Sequence, residues 1–64
     1  MQDFQQRVVD EKAELDDKLA KLVKFIEGSD IFKTIPEAEQ TRLVRQAGFM
    51  RQYSDVLKER IAAF

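Results

Sequence analysis

From Gln2 to about Glu27 the chain contains no glycine or proline, and Val8, Leu15, Leu19, Leu22 and Ile26 share one a/d-type stripe. Met1 opens that stripe, and Gln5 and Lys12 interrupt it. Beyond Pro36 a second stripe, Leu43, Ala47, Met50, Ser54, Leu57, Ile61 and Phe64, advances in alternating steps of four and three. Each pattern predicts one long amphipathic helix, at about 2–27 and about 36–63, with residues 28–35 as connector. Gly28 reads as the C-terminal stop of the first helix. Pro36 suits the first turn of the second. Thr34 with Glu37 matches a capping box, but the residue before a proline resists helical angles, so the cap falls at Thr34 or Ile35.

Ile31, Phe32 and Ile35 are too apolar for a free loop and are expected to plug the open end of the hairpin. A connection this short makes the helices antiparallel, with Ile26 level with Gln40 near the turn. The polar breaks Lys12 and Ser54 then share one layer. That layer either sets the register or lets Lys12 line a ligand site. A further stripe runs along each helix: Phe4, Val9, Ala13, Ala20 and Val23 on the first, and Phe49, Tyr53 and Val56 on the second. A two-helix hairpin has one internal seam, so these stripes call for another chain. The expected fold class is all-α, an antiparallel two-helix hairpin with an apolar connector that assembles into a helical homo-oligomer. A partly folded monomer awaiting a different partner is the other reading.

Composition strengthens the case for assembly. Sixty-four residues make a single domain that buries only about 60% of its unfolded surface. Neither cysteine nor histidine is present to staple it by disulfide or zinc. Eleven basic against twelve acidic residues give a net charge of −1, which argues against a DNA or RNA polymer as partner. No apolar run approaches a signal segment or a membrane span, so no membrane partner is expected and a cytoplasmic location is the default. Glu14 with Lys18 and Asp17 with Lys21 are spaced as favourable helical ion pairs.

Catalysis finds few tools. Ser29 and Ser54 lack a triad partner, and two glycines cannot make a phosphate loop. Asp10, Glu11, Glu14, Asp16 and Asp17 interleave with lysines as a solvated face does, so no metal and no cofactor are expected. A non-enzyme is the reading. Gly48 is more informative, because a glycine inside a helix costs about 1 kcal/mol relative to alanine. Either another helix approaches closely there, or an anionic ligand reaches the backbone while Arg45 and Arg51, with Arg42 a step behind, hold its phosphates. Phe4 and Arg7 lie one turn apart, and Lys18 lies three turns on along a similar face. These residues could end the seam and pair Arg7 with Glu11, or form a ring and cations for a small nucleotide.

The runs QQRVVDEKAELDDKLAKLVKFI and IPEAEQTRLVRQAGFMRQYSDVLKERI resemble a family of very small helical tailed-phage proteins that includes the anti-CBASS sponge proteins. CBASS is a bacterial defence in which cyclic di- or trinucleotides activate a killing effector. The resemblance implies a phage immune-evasion protein that sequesters these messengers uncleaved in the host bacterial cytoplasm during infection. It implies a homohexamer with pockets between protomers, where a ring stacks on the bases of a cyclic dinucleotide such as cGAMP and cations hold its phosphates. Some members take cyclic trinucleotides in a separate pocket. Phe4 stands where an aromatic is common, and Arg7 and Lys18 match cationic positions, so Phe4, Arg7, Glu11 and Lys18 are the candidate dinucleotide site. Arg45, Gly48 and Arg51 are this chain's candidate second pocket. The competing function is a structural or regulatory coiled-coil module that binds only protein.

Overall fold

The computed structural model describes residues 2–64; Met1, the expected first residue of the seam, lies outside them. Two α-helices, α1 (Asp3–Gly28) and α2 (Glu37–Ala62), flank a single 3-10 turn (Phe32–Thr34), and the hairpin they form is 46 Å long. At the start of α1, the Gln2 backbone N–H donates to Gln5 Oε1 at 2.8 Å, satisfying a donor outside the helical ladder. Asp17 and Lys21 pair at 3.0 Å, whereas Glu14 and Lys18 make no ion pair among the described residues.

The connector departs from expectation at three points, each for a local reason. Gly28 is the last helical residue but does not cap in the left-handed region; Ser29, extended at φ −92° and ψ 129°, closes the helix by donating its N–H to Phe25 O. Thr34 spends its hydroxyl on Ile31 O at 2.6 Å, so no capping box forms. Ile35 is held extended before the proline, and Pro36 is itself non-helical at ψ 140°, so α2 begins at Glu37 with Pro36 as its cap residue. Phe32 packs edge-on against Phe25 with ring centroids 5.8 Å apart, which closes the hairpin's end. Ile31, expected in that plug, is exposed.

Val8, Ala47, Ser54 and Leu57 are the buried residues of the seam, and Leu57 is wholly enclosed. Leu15, Leu19, Leu22, Ile26, Leu43, Met50 and Ile61 are half-buried beside them. Ile26 shares a cavity of about 150 Å³ with Val44 and Ala47, so it sits about one turn further along α2 than Gln40. Phe32 explains the shift. It shares a groove with Gln40 and Glu37, occupying the level opposite the first turn of α2. Gln40 instead donates its side-chain amide to Ile35 O at 3.0 Å.

Lys12 and Ser54 do belong to one polar layer, but Asp16 joins them. Lys12 Nζ pairs with Asp16 Oδ2 at 2.6 Å, and Ser54 Oγ donates to Asp16 Oδ1 across the seam. Both oxygens of Asp16 are therefore used. The hydrogen bond from Lys12, then that from Ser54, hold the Asp16 carboxyl below its ordinary pKa, outweighing a smaller upward push from desolvation. A carboxylate with a depressed folded pKa adds stability above its unfolded pKa, and that stability is lost as pH falls through the folded value. Asp16→Asn is therefore expected to lower stability at neutral pH and to flatten the acid limb below pH about 4, as read by helical circular dichroism during acid titration.

Little else is covered. A compact monomer of 7.5 kDa exposes about 4,250 Å², whereas this chain exposes 5012 Å².

Candidate functional site

The hairpin has two broad faces, each made from one flank of α1 and one flank of α2. Val23 and Glu27 line a cavity with Val44 and Arg51, which places these four residues on one face. At 3.6 residues per turn, Arg7, Glu11 and Lys18 lie on the opposite flank of α1, and Phe49 and Tyr53 lie on the opposite flank of α2 from Val44. The second face therefore brings α1 cations and α2 aromatics to the same side of the molecule. Sequence periodicity had placed these residues on stripes of separate helices. Only the pairing of the flanks puts them together.

Phe4 is 62% exposed and meets Phe64 edge-on, with ring centroids 6.5 Å apart at 77°. One edge of the ring is held by the chain's last residue, and the rest is free. Arg7 reaches back to Asp3 at 3.0 Å rather than forward to Glu11. The pair is exposed at both ends and worth under about 1 kcal/mol, so a phosphate could take the guanidinium from Asp3 at small cost. Glu11 is half-buried on the same flank. Lys18 is exposed and makes no ion pair among the described residues. These four residues span about 21 Å of helix, more than one small ligand covers.

A broad, open concavity on this face lies further along α2. It is a groove of about 380 Å³ lined by Arg42, Arg45, Gln46, Phe49, Met50 and Tyr53. Phe49 and Tyr53 offer two rings one turn apart, and both are largely exposed. Arg42 is tied to Glu39 at 3.0 Å, while Arg45 has no ion pair among the described residues. Sequence reasoning placed Phe49 and Tyr53 on an interaction stripe without joining them to a cation. Their spacing from Arg42 and Arg45, one to three helical turns, was the available signal.

The second candidate set divides between surfaces. Arg45, on the outer side of α2, lines both the aromatic groove and a second groove with Phe32, Thr41 and Val44, Arg51 lines the cavity with Glu27 on the Val44 face, and Gly48 lies on the helix exterior between them. A Cβ built on Gly48 would meet nothing within 4 Å, so packing inside the hairpin does not require glycine. Close approach of α1 does not explain it. Any demand for a bare backbone at Gly48 comes from outside this chain.

Reactive groups are poorly placed for covalent chemistry. Ser54 is buried in the seam with its proton given to Asp16, and Ser29 Oγ accepts from the Ile31 N–H at 3.2 Å. Among the described residues no group of three carboxylates is placed to hold a metal ion, and no helix is long and apolar enough to cross a membrane. Surface recognition is what the arrangement offers: rings that can stack and cations that can hold anions.

Comparison with known proteins agrees with a binding role. The profile of one protein family, described as Sequestin, matches residues 2–63. No curated protein and no solved structure matches the chain.

Proposed function

Because this chain belongs to the Sequestin family, whose name denotes sequestration rather than turnover, we propose that it binds cyclic oligonucleotide second messengers and withholds them, uncleaved, from the effectors of bacterial CBASS defence. The observation that carries this reading is the face where Phe4, Phe49 and Tyr53 are exposed on the same side as Arg7, Lys18 and Arg45. Stacking on an aromatic ring is worth about 1–3 kcal/mol per base and tolerates any base, because every base has a π-face. Arginine and lysine hold phosphates by charge-assisted hydrogen bonds. With a net charge of −1, such binding is local and favours a small ligand over a long phosphate backbone. Phe4, Arg7, Glu11 and Lys18, too widely spaced along one helix to meet one ligand, serve the cyclic dinucleotide, cGAMP among them, from different protomers, and Arg45, Gly48 and Arg51 serve a second pocket for a cyclic trinucleotide. Both pockets are completed between protomers of a homohexamer.

The side chains available for chemistry support retention without cleavage. Ser54 is enclosed within the seam, beyond the reach of a ligand on the surface, and the chain has no cysteine or histidine to act as nucleophile or base.

Calorimetry against a panel of cyclic di- and trinucleotides tests the proposal directly. At least one is expected to bind, to raise Tm by mass action, by about 2.7 kcal/mol of stability at a hundred times its Kd, and to be recovered intact after denaturation. Silence across the panel at tens of micromolar would leave the coiled-coil module that binds only protein. Recovery of a hydrolysed ligand would point to an enzyme instead.

A further inference from the structure

Glu11 stands apart from the cations of the flank proposed to hold a cyclic dinucleotide. Arg7 and Lys18 suit phosphates, whereas a carboxylate repels them. Glu11 and Asp16 are the only half-buried acids among the described residues; every other Asp and Glu is exposed. Asp16 has both oxygens occupied, by Lys12 and by Ser54. Glu11 accepts no hydrogen bond and makes no ion pair among the described residues, because Arg7, one turn away, is committed to Asp3 at 3.0 Å. A partly desolvated carboxylate with both oxygens open has capacity for donors that this chain does not supply.

Resting on that proposed site, we infer that Glu11 is its specificity-determining residue, and that its carboxylate reads the pairing edge of guanine. Beyond its phosphates, a cyclic dinucleotide offers ribose hydroxyls and base edges. A hydroxyl has a single proton to give. Guanine alone among the common bases sets donors side by side on its pairing edge, the ring N1–H and the 2-amino group, and a carboxylate accepts both as a bidentate pair. Adenine and cytosine each set an acceptor nitrogen beside the amino donor. Uracil flanks its N–H with carbonyl oxygens that face the carboxylate. A site whose buried acceptor is left unpaired by the wrong base discriminates more sharply than one that merely fits it. The division of labour is then by chemistry: Phe4 meets the face of a base, Arg7 and Lys18 meet phosphate, and Glu11 meets the edge.

Calorimetry of the assembled protein against cyclic di-GMP, cyclic di-AMP and cyclic di-IMP tests the assignment, since inosine keeps the N1–H and lacks the 2-amino group. The wild type is expected to bind cyclic di-GMP about 10- to 150-fold more tightly than cyclic di-AMP, with cyclic di-IMP between them. Glu11→Gln keeps the size of the side chain and replaces one acceptor by a donor, which complements adenine. It should weaken cyclic di-GMP by about 10- to 150-fold and leave cyclic di-AMP as tight or tighter, a reversal that a packing role would not produce. A wild type that binds these dinucleotides without favouring guanine overturns the assignment and leaves the dinucleotide site standing. So does a Glu11→Gln variant that weakens cyclic di-GMP and cyclic di-AMP alike, as a contact with the shared ribose would. Binding of none of the three by the wild type overturns the dinucleotide site and the assignment with it.

Discussion

Leu57→Ala is expected to abolish the folded hairpin at micromolar concentration. Leu57 is wholly enclosed, and truncating a buried leucine costs about 2–5 kcal/mol, the larger values where surrounding side chains cannot collapse into the space. A chain of this size has little stability in reserve. Among the described residues only Val8, Ala47 and Ser54 are buried besides Leu57. Thermal melting followed by circular dichroism should show a broad, non-cooperative loss of helix for Leu57→Ala. Val56→Ala, one position away and 52% exposed, should melt much closer to the wild type than Leu57→Ala. Equal melting of the two variants would contradict the seam described here.

A comparably large effect is expected for ligand affinity. Phe4→Ala removes a stacking ring worth about 1–3 kcal/mol, so cyclic dinucleotide Kd should rise by about 5- to 150-fold. Lys18→Ala removes a charged hydrogen-bond donor worth about 1.5–3 kcal/mol, a loss of similar size. The Phe4 contact with Phe64 supplies the control, because Phe64→Ala frees the ring without removing it. Calorimetry of all three variants, normalised to the folded assembly, separates the roles. Loss with Phe4→Ala alone marks a ring that touches ligand. Equal loss with Phe64→Ala marks a packing pair at the end of the seam, and unchanged affinity in Phe4→Ala removes it from the site.

The helices were legible because apolar periodicity acts over 26 residues each, and a run that long averages out local exceptions such as Gly48. The connector was less legible because single hydrogen bonds decide it. Thr34 could cap α2 or bond back to Ile31, and Ile35 extended ahead of Pro36 favours the second. Asp16 was hidden differently. It stood among five acids of alternating charge context, and nothing in its spacing distinguished the one carboxylate that turns toward Ser54. The candidate site was partly legible: Phe4, Arg7 and Lys18 were recognisable as types, whereas the aromatic groove was not. A groove depends on how Arg42, Arg45, Phe49 and Tyr53 shape one surface together.

The alternation of apolar and polar residues was enough for two amphipathic helices and more apolar stripes than one seam can cover, since both follow from 3.6 residues per turn, and the short connector was enough for their antiparallel pairing. Register, the bridging role of Asp16, and the side on which each spare stripe lies were settled only in three dimensions. Phe32 displaces the register by filling the level beside the first turn of α2, and that displacement determines which flank of one helix meets which flank of the other. Periodicity describes a helix about its own axis. The rotation of two helices about each other depends on the side chains wedged between them.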